Sequence, residues 1–557
     1  MIKFIIHPLY LYLTVLLALN PVTLQAMDRP AEALSRPNIL LIVADDLGYT
    51  DLGSFGSEIE TPNLDKLANT GIKFTSLYAA PTCSPTRAML LSGTDNHIAG
   101  LGNMAEEMAP NQKGKPGYEG YLNDRVVSVA SLLKDAGYRT YMTGKWHLGL
   151  EEVQSPAARG FDRSFALLQG GAGHFDSLPI IGPQPALYRE NGKPAELPKD
   201  FYSTRFYTDK LIEYIETDSK SDQPFFAYLA YTAPHWPLQA PESSIAKYRG
   251  KYDAGYDQVL AQRIKRMAAL GLIPKGAKGW PRFPGEKAWQ QLSAQERKVE
   301  ARKMEIYAAM VDDMDSNVGR LLNYLEQIGE RDNTFIYFVS DNGAEGHHLE
   351  RGWSQLANWV AECCDNSFEN MGKASSYIWY GPNWGRVSSG PFSFFKGFTT
   401  EGGIRVPGFI HYPGLQRAGE VSDSFTTVMD FLPTALALAG VEHPGSRYQD
   451  RAVATPQGAS LLPYLDKRTA SVHADDYVMG WELFGKRAVR QGGWKIVLQA
   501  KPYGSQHWQL YNLADDPSEQ EDLAAREPEK LKAMIALWEQ YARNNNIILP
   551  DHVNAHY

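Results

Sequence analysis

A nearly continuous apolar segment close to the N-terminus, residues 38–44 (NILLIVA), constrains the fold more than any other part of the chain. It shows no alternation of apolar and polar side chains, which is typical of a strand buried on both faces of a parallel sheet. A helix is predicted to follow, since Thr61 can act as its N-cap, Pro62 suits its first turn and Gly71 lies just past its end. A buried strand followed by a helix indicates an α/β layer architecture.

The same alternation continues along the chain. Long amphipathic segments separate further apolar runs, and the clearest of these segments predicts a helix over residues 295–328. Strands separated by helices favour an α/β sheet wound on both faces. The additional strands are predicted over residues 138–143, 224–231, 334–340 and 405–412.

The last part of the chain has a different pattern. Residues 481–499 and 508–513 resemble short strands, with a turn at Gly492-Gly493. Residues 528–543 follow as a closing helix. Strands in succession followed by a helix indicate a small antiparallel α+β unit.

We therefore predict a large α/β domain over residues 36–415 and a smaller C-terminal α+β domain over residues 416–557. Two stretches of the large domain are rich in loop-forming residues, residues 169–200 and 343–391. Loops of this length in a compact domain are usually functional or mobile.

The first residues have the pattern of a secretory signal peptide. Lys3 is followed by a mostly apolar run over residues 9–19, and a small residue, Ala26, lies where cleavage is expected. The run is shorter than the roughly 20 apolar residues that a membrane span needs. We predict a signal peptide over residues 1–26, a periplasmic or secreted protein and no stable membrane span. An uncleaved N-terminal anchor is the alternative.

Composition excludes several other classes of protein. The 557 residues are 43% hydrophobic, which is too apolar for a chain that is mainly disordered. The net charge of −9 disfavours a nucleic-acid partner. Three cysteines do not supply a disulfide framework. Cys363 and Cys364 are adjacent, and since neighbouring cysteines rarely bridge, we expect two packed or partly exposed thiols.

Polar residues that could bind a ligand or take part in catalysis follow four of the predicted strands. In an open α/β sheet the ligand site lies outside the carboxyl ends of the strands, so these residues are predicted to meet on one edge. Each of them taken alone has a structural explanation as a turn, a helix cap or a packed loop residue. They are Asp45, Asp46, Lys145, His147, His235, Asp341 and Asn342.

Four of these residues, Asp45, Asp46, Asp341 and Asn342, offer only oxygen ligands through their side chains. Oxygen ligands suit a hard cation, Ca²⁺ or Mg²⁺, better than zinc.

Cys83 lies at the predicted N-terminus of a helix, with Pro85 in its first turn and Gly93 at its end. The positive end of the helix and Arg87, one turn further on, predict a lowered pKa and a reactive thiol. On local sequence alone Cys83 is a redox or nucleophilic thiol, or simply a buried one.

Several motifs then identify a family. Residues 83–87 (CSPTR) match the first sulfatase signature, and residues 144–149 (GKWHLG) match the second. On these motifs the chain resembles the type I, formylglycine-dependent sulfatases, and within them the bacterial arylsulfatases. Further matches in the order of that family lie at residues 44–48, 93–95, 115–120, 233–238, 340–343, 377–382, 395–397 and 401–407.

The resemblance implies a fold similar to alkaline phosphatase, with a doubly wound mixed sheet and a smaller C-terminal domain. It implies that a formylglycine-generating maturation enzyme oxidises Cys83 to formylglycine, and that this happens before export. It also implies that Ca²⁺, or alternatively Mg²⁺, is held by Asp45, Asp46, Asp341 and Asn342 together with the modified Cys83.

The same resemblance implies a role for each catalytic residue. The hydrated aldehyde at position 83 attacks the sulfur of a small-molecule sulfate ester, most simply an aryl sulfate. Lys145 and Lys396 bind the sulfate, Arg87 holds the nucleophile and Asp341 accepts its proton. His235, with Lys396, protonates the leaving group, and His147 accepts the proton whose loss releases sulfate.

Two other functions remain open from the sequence. A phosphate or phosphonate monoester hydrolase of the same superfamily is one, although such relatives tend to have Asp-His-Gly where this chain has Asp341-Asn342-Gly343. A non-catalytic protein that binds sulfated ligands is the other, if Cys83 is never converted. Four tryptophans in the long loops either line a substrate pocket or belong to the core, namely Trp353, Trp359, Trp379 and Trp384.

Overall fold

A computed structural model describes Met1 and residues 36–552, except residues 284, 353 and 502. Apart from Met1, the predicted signal segment lies outside the described residues, and so does Trp353. Within the described part of the chain, no helix is both long and apolar enough to cross a bilayer.

The strands and helices alternate along most of the chain. The strands are β1 (Asn38–Ala44), β2 (Ile72–Phe74), β3 (Leu77–Tyr78), β4 (Arg139–Lys145), β5 (Arg163–Leu167), β6 (Tyr188–Glu190), β7 (Lys193–Pro194), β8 (Phe225–Ala230), β9 (Thr334–Ser340), β10 (Gly408–His411), β11 (Val421–Ser422), β12 (Thr426–Thr427), β13 (Arg447–Tyr448), β14 (Arg451–Ala452), β15 (Val478–Leu483), β16 (Lys486–Gln491), β17 (Trp494–Leu498) and β18 (Gln509–Asn512). The α-helices are α1 (Pro62–Thr70), α2 (Cys83–Ser92), α3 (Val129–Asp135), α4 (Ser203–Thr217), α5 (Glu242–Lys247), α6 (Tyr256–Ala269), α7 (Ala294–Gln327), α8 (Leu349–Gly352), α9 (Ser354–Cys363), α10 (Gly381–Ser389), α11 (Glu401–Ile404), α12 (Phe431–Ala439), α13 (Leu462–Leu465) and α14 (Pro528–Asn544).

Ten strands form one large mixed sheet in the order β11-β2-β10-β9-β1-β8-β4-β5-β6-β7. The five central strands, from β9 to β5, run parallel to one another. Strand β10 pairs antiparallel with β9, and β6 pairs antiparallel with β5. The predicted mixed α/β sheet is confirmed.

Helices cover both faces of this sheet, because the side chains of β1 point alternately to either side. Leu40 and Ile42 pack with α1, α4 and α7 in one apolar core. Ile39 and Leu41 pack with α2, α3 and α12 in a second core on the opposite face. Burial of each such side chain contributes about 1.5–3 kcal/mol. A strand that fills two cores is therefore apolar at every position, as β1 is.

The C-terminal part adds a four-stranded antiparallel sheet, β15-β16-β17-β18. Helix α14 covers one face of it through Met534 and Trp538, which pack with Val489 and Ile496. On the side of the large sheet, the Trp481 indole donates a hydrogen bond of 2.9 Å to the carbonyl oxygen of Ala79. The smaller antiparallel α+β unit is thus confirmed. The predicted boundary near residue 415 stays a prediction, although β11 and α12 beyond it pack with the large sheet.

The prediction of a loop-rich stretch over residues 343–391 is only partly right, because the stretch contains α8, α9 and α10. Helix α10 is hard to recognise, since its sequence (GPNWGRVSS) has low helix propensity. Burial of Trp384 and Val387 in the core stabilises it instead. Tertiary packing thus decides the local structure here.

The prediction for Cys363 and Cys364 is wrong, because the two residues form a disulfide with their Cα atoms 3.7 Å apart. Cys363 is the last residue of α9 and Cys364 is the first residue beyond it. The chain leaves helical geometry between them, and the local sequence does not reveal this change of direction.

Candidate active site

The candidate site lies at the carboxyl ends of the parallel strands. Asp45 and Asp46 directly follow β1, Asp341 directly follows β9, and Lys145 ends β4. His235 lies in the turn after β8. Because β9, β1, β8 and β4 are neighbours and parallel, their ends place these buried side chains at one edge of the sheet.

Asp45 and Lys145 form a buried ion pair. The Lys145 Nζ donates to Asp45 Oδ1 at 2.8 Å and to Oδ2 at 2.7 Å, and both residues are fully buried. Burial raises the pKa of Asp45 to about 7, against the opposing effect of Lys145. A carboxylate in this state would be stabilised by a bound cation.

Asp46 is the second buried carboxylate, and three side chains surround it. Asn342 Nδ2 donates to Oδ1 at 2.7 Å, and Lys396 Nζ donates to Oδ2 at 2.9 Å. His235 Nε2 lies 3.6 Å from the same Oδ2. Burial alone would raise the pKa of Asp46, but Lys396 and His235 outweigh it and hold this pKa below the usual value. The carboxylate of Asp46 is therefore ionised.

Arg87 ties the third carboxylate, Asp341, into the same cluster. Its Nε and Nη2 donate to Asp341 Oδ2 at 3.0 and 2.7 Å. Its Nη1 donates to the carbonyl oxygen of Lys145 at 2.9 Å. Burial opposes ionisation of Asp341, but Arg87 and Lys145 keep its pKa below the usual value. Asp341 Oδ1 also accepts the backbone N–H of Asp46 at 3.2 Å.

Cys83 is a free, buried thiol at the first residue of α2. Its Sγ lies 3.3 Å from Asp45 Oδ1 and 3.6 Å from Asp46 Oδ1. Burial and the charge of Asp341 raise the pKa of this thiol well above its usual value. The prediction of a lowered pKa is therefore wrong. Arg87 is engaged with Asp341, and burial beside carboxylates outweighs the helix terminus.

The two histidines lie on either side of this cluster. Burial lowers the pKa of His235 to about 3. Its Nδ1 lies against the carbonyl oxygen of Trp236, and its own carbonyl oxygen bonds His174 Nε2 at 3.0 Å. Burial also lowers the pKa of His147, whose Nε2 lies 2.9 Å from Glu106 Oε1. The buried Nδ1 of His147 has no hydrogen-bond partner among the described residues.

The donor set fits a hard divalent cation. One atom from each of Asp45, Asp46, Cys83 and His235 lies within 4.8 Å of the others. The side-chain oxygen of Asn342 is buried and has no hydrogen-bond partner in the described part of the chain. Such an orphaned acceptor beside ionised carboxylates is what a cation would satisfy. His235 joins this group although the sequence did not predict it as a ligand.

The acidic and basic groups of the cluster nearly balance without a bound cation. Three carboxyl groups, Asp45, Asp46 and Asp341, face three cationic side chains, which are Arg87, Lys145 and Lys396. With all six ionised their sum is 3 − 3 = 0, and Glu345, 3.6 Å from Lys396, adds one negative charge. A divalent cation then leaves a net charge of −1 + 2 = +1. We call these six charged side chains together with Cys83 the floor of the site, and its net positive charge with a cation bound suits an anionic substrate.

A cavity of about 1150 Å³ opens above the cluster, and Cys83, His147, His235 and Lys396 lie in its lining. The tryptophan in its wall is Trp236, which the sequence analysis did not select for this role. Of the four tryptophans that the sequence suggested for a pocket, the three described ones do not line the cavity. Trp384 is fully buried in the core, and Trp359 and Trp379 pack against the core from partly buried positions.

Sequence reasoning missed Glu106 and Glu345. Glu106 contacts His147 from 41 positions away, and Glu345 lies 3.6 Å from the Lys396 ammonium. Glu106 follows no strand and forms no motif with His147, so spacing offers no signal. Glu345 lies four residues after Asp341, and only its closeness to that motif could have suggested it.

Comparison with known proteins agrees with this site. The sequence model of the sulfatase family matches residues 37–441, and that of the C-terminal region of N-sulphoglucosamine sulphohydrolase matches residues 390–546. An uncharacterized sulfatase of Schizosaccharomyces pombe is 47% identical over 94% of this chain and 96% of its own length. The arylsulfatase of Klebsiella aerogenes is 39% identical over 76% of this chain and 91% of its own length.

A solved structure, Ps i-CgsB in complex with k-i-k-neocarrahexaose, superposes with a TM-score of 0.65. It is 26% identical, and the match covers 94% of this chain and 95% of the other. The fold and the buried polar edge thus define a hydrolase with an alkaline-phosphatase-like fold. The chain belongs to the sulfatase family.

Proposed function

We propose that this sulfatase hydrolyses aryl sulfate esters to a phenol and inorganic sulfate, with formylglycine made from Cys83 as the nucleophile and Ca²⁺ as the cofactor. The observation that carries the proposal is the position of Cys83. It lies at the floor of the cavity, 3.3 Å from Asp45 and within a cluster that contains Arg87, Lys145 and Lys396. The 39% identity to the arylsulfatase of Klebsiella aerogenes supports the aryl class.

Two groups would complete the site. Asp45, Asp46, Asp341 and Asn342 would hold Ca²⁺, with Mg²⁺ as the alternative, and the cation would supply Lewis acidity toward the sulfate. Formylglycine would supply a hydrated aldehyde oxygen as nucleophile in place of the thiol. The raised pKa of the thiol favours this replacement, because an unmodified Cys83 would be protonated and unreactive at neutral pH.

The cationic side chains of the floor bind and orient the substrate. Lys145 and Lys396 donate to the two carboxylates that lie beside Cys83, so their ammonium groups are positioned to bind a sulfate at residue 83. Arg87 cannot turn away, because two of its nitrogens bind Asp341. It therefore holds the nucleophile at position 83 on one side and Asp341, which accepts the proton of that nucleophile, on the other.

Three side chains move the remaining protons. Lys396 and His235 both line the cavity, and they protonate the leaving phenolate oxygen. Burial keeps His235 neutral, and the negative charge of a bound sulfate would raise its pKa toward the protonated form. His147 accepts the proton that frees sulfate from the group at position 83. Its Nε2 is bound by Glu106, which leaves Nδ1 for this task.

Hydrolysis of 4-nitrophenyl sulfate tests the proposal, in protein co-expressed with a formylglycine-generating enzyme. We expect turnover that is lost in Cys83→Ala and exceeds turnover of 4-nitrophenyl phosphate. Cys363→Ala, a cysteine outside the cavity lining, is the matched control and should retain activity. A preference for the phosphate would assign the protein to phosphate or phosphonate monoester hydrolysis instead. If Cys83 stays a thiol despite co-expression and the protein still binds the sulfate, a sulfated-ligand binder is supported instead.

We also propose that the enzyme works in the periplasm or outside the cell, on the basis of the signal-like residues 1–26. Conversion of Cys83 then has to precede export. Activity in the cytoplasmic fraction alone would contradict this location.

A further inference from the structure

The walls of the active-site cavity differ in chemistry from its floor. Apolar side chains predominate in them, including Met104, Leu150, Ile180, Ile181, Leu187 and Trp236. Leu150, Ile181 and Leu187 are 45%, 41% and 46% exposed, and they belong to the few large apolar side chains that the described part of the chain leaves open to solvent. Exposed apolar side chains concentrated at one place mark a surface that contacts a ligand or partner.

The apolar surface is continuous with the catalytic floor. One cavity contains both Cys83 and Leu187, so a substrate whose sulfate reaches the floor places its leaving group against these walls. The cavity volume of about 1150 Å³ exceeds the usual range for a drug-sized ligand, which is roughly 300–1,000 Å³. A single aromatic ring would leave most of this surface in water.

The lining has no place for a second anion. Among the described residues that line the cavity, Lys396 is the one basic side chain of the Lys and Arg type, and it belongs to the sulfate-binding floor. Glu106 and Glu107 add two carboxyl groups instead. A polyanionic sugar chain would have to bring further sulfates or carboxylates against apolar and acidic groups, which is unfavourable.

We propose that the cavity selects sulfate monoesters whose leaving group is a long apolar body without a second anionic group, such as a phenol that carries an alkyl chain. This inference rests on the proposed function, because it assigns the leaving group of that same reaction. Polysulfated and uronic-acid sugars are poor substrates on this account. The scissile sulfate is the one anion that the site takes.

A series of 4-alkylphenyl sulfates, from methyl to octyl, tests the inference at concentrations below micelle formation. The leaving-group acidity is nearly constant along the series, so differences in kcat/KM report the walls. We expect kcat/KM to rise by up to about fourfold per methylene over the first several carbons, which is the factor for full burial of a methylene group. An analogue whose chain ends in a carboxylate should react at least about tenfold more slowly than its methyl-ended counterpart. A flat series, or equal rates for the two analogues, would overturn the inference.

Two variants locate the effect. Leu187→Asp should flatten the dependence of kcat/KM on chain length. Val153→Asp is the matched control, because Val153 is 74% exposed but is not in the cavity lining, and it should leave the series unchanged. Equal slopes in the two variants would argue against these walls as the source.

A binding measurement separates this inference from the proposed function. Calorimetry with Cys83→Ala and the same esters reports affinity without turnover. Affinity that rises with chain length supports the apolar cavity even if the converted enzyme hydrolyses none of the esters, in which case the proposed function alone fails. Affinity that is independent of chain length contradicts the inference whether or not the esters are hydrolysed.

Discussion

The floor and the walls of the cavity are built on opposite principles. The floor consists of buried ionisable groups, each bound to an oppositely charged or hydrogen-bonding neighbour. Its carboxylates and Lys145 lie at the ends of parallel strands, whereas Cys83 and Arg87 lie on α2. The walls come largely from connecting segments such as residues 168–187, and they expose apolar side chains to solvent. Rigid strand ends determine the position of charge, whereas the loops determine what shape and polarity accompany it.

This difference between floor and walls indicates which part of the cavity can be substituted without loss of the fold. A buried charge that loses its partner is strongly destabilising, so the floor tolerates little variation. An exposed apolar side chain in a wall contributes far less to folding, so a wall can be altered without loss of the fold. The reaction is thus tied to the fold, and the choice of leaving group is separable from it.

Arg87→Met should have the largest effect, because it removes a charged side chain from the floor. The variant removes both hydrogen bonds to Asp341 Oδ2 and leaves a buried carboxylate without its partner. We expect the free energy of unfolding to fall by about 3–5 kcal/mol and turnover to be lost. Urea unfolding of the variant and the parent measures the first effect. An unchanged unfolding midpoint would mean that the floor is not held by charge pairing.

Removal of the cation should come next in size. Chelation with EDTA is expected to lower turnover by at least about 100-fold, since the floor then loses its net positive charge. Added Ca²⁺ should restore activity, and Mg²⁺ should do so less well. The fold should survive, because each of the six charged side chains keeps an oppositely charged partner without the cation. Full activity after exhaustive chelation would contradict the proposed cation site.

Glu106→Gln should have an intermediate effect, because Glu106 holds His147, the proton acceptor of the proposed reaction, and does not contact the floor. We expect kcat to fall about tenfold with little change in KM. Glu106 raises the pKa of His147 against the effect of burial, so its loss lowers that pKa further. If neutral His147 is the active form, the acidic limb of the rate profile then moves to lower pH. Glu152→Gln, at an exposed residue outside the lining, is the control, and identical pH profiles for both variants would refute the role.

The disulfide between Cys363 and Cys364 should matter least. It joins neighbours in sequence and closes no long loop, so it removes little entropy from the unfolded chain. Cys363→Ser combined with Cys364→Ser is therefore expected to change the free energy of unfolding by less than about 1 kcal/mol. The rate with 4-nitrophenyl sulfate should stay within about twofold. A larger loss would show that the end of α9 supports the cavity.

The sequence predicts the floor well because strand ends are local signals. The apolar runs of β1 and β9 are visible in sequence, and Asp45, Asp46 and Asp341 follow them directly. Partners that lie far apart in the chain are not visible in this way. Arg87 and Asp341 are 254 positions apart, so the local sequence predicts that Arg87 acts on Cys83 and lowers the pKa of its thiol. In the structure Arg87 pairs with Asp341 instead, and the pKa of the thiol is raised.

The walls could not be predicted for a related reason. Leu150, Ile181 and Leu187 belong to no periodic pattern, and each alone resembles an ordinary surface residue. Trp359, Trp379 and Trp384, three of the tryptophans selected from the sequence for a pocket, pack in or against the core, because the core gains most from burying the largest side chains. Helix α10 escaped prediction for the same reason, since its stability depends on the burial of Trp384.

The central claim is that the floor acts through a converted Cys83. Its most direct test measures the aldehyde fraction of the Cys83 peptide by mass spectrometry, in preparations with different amounts of the formylglycine-generating enzyme, together with the rate on 4-nitrophenyl sulfate. The account predicts a rate that is proportional to the aldehyde fraction and extrapolates to zero for the unmodified thiol. A rate that does not depend on the aldehyde fraction, or full turnover by protein that carries only the thiol, would contradict it.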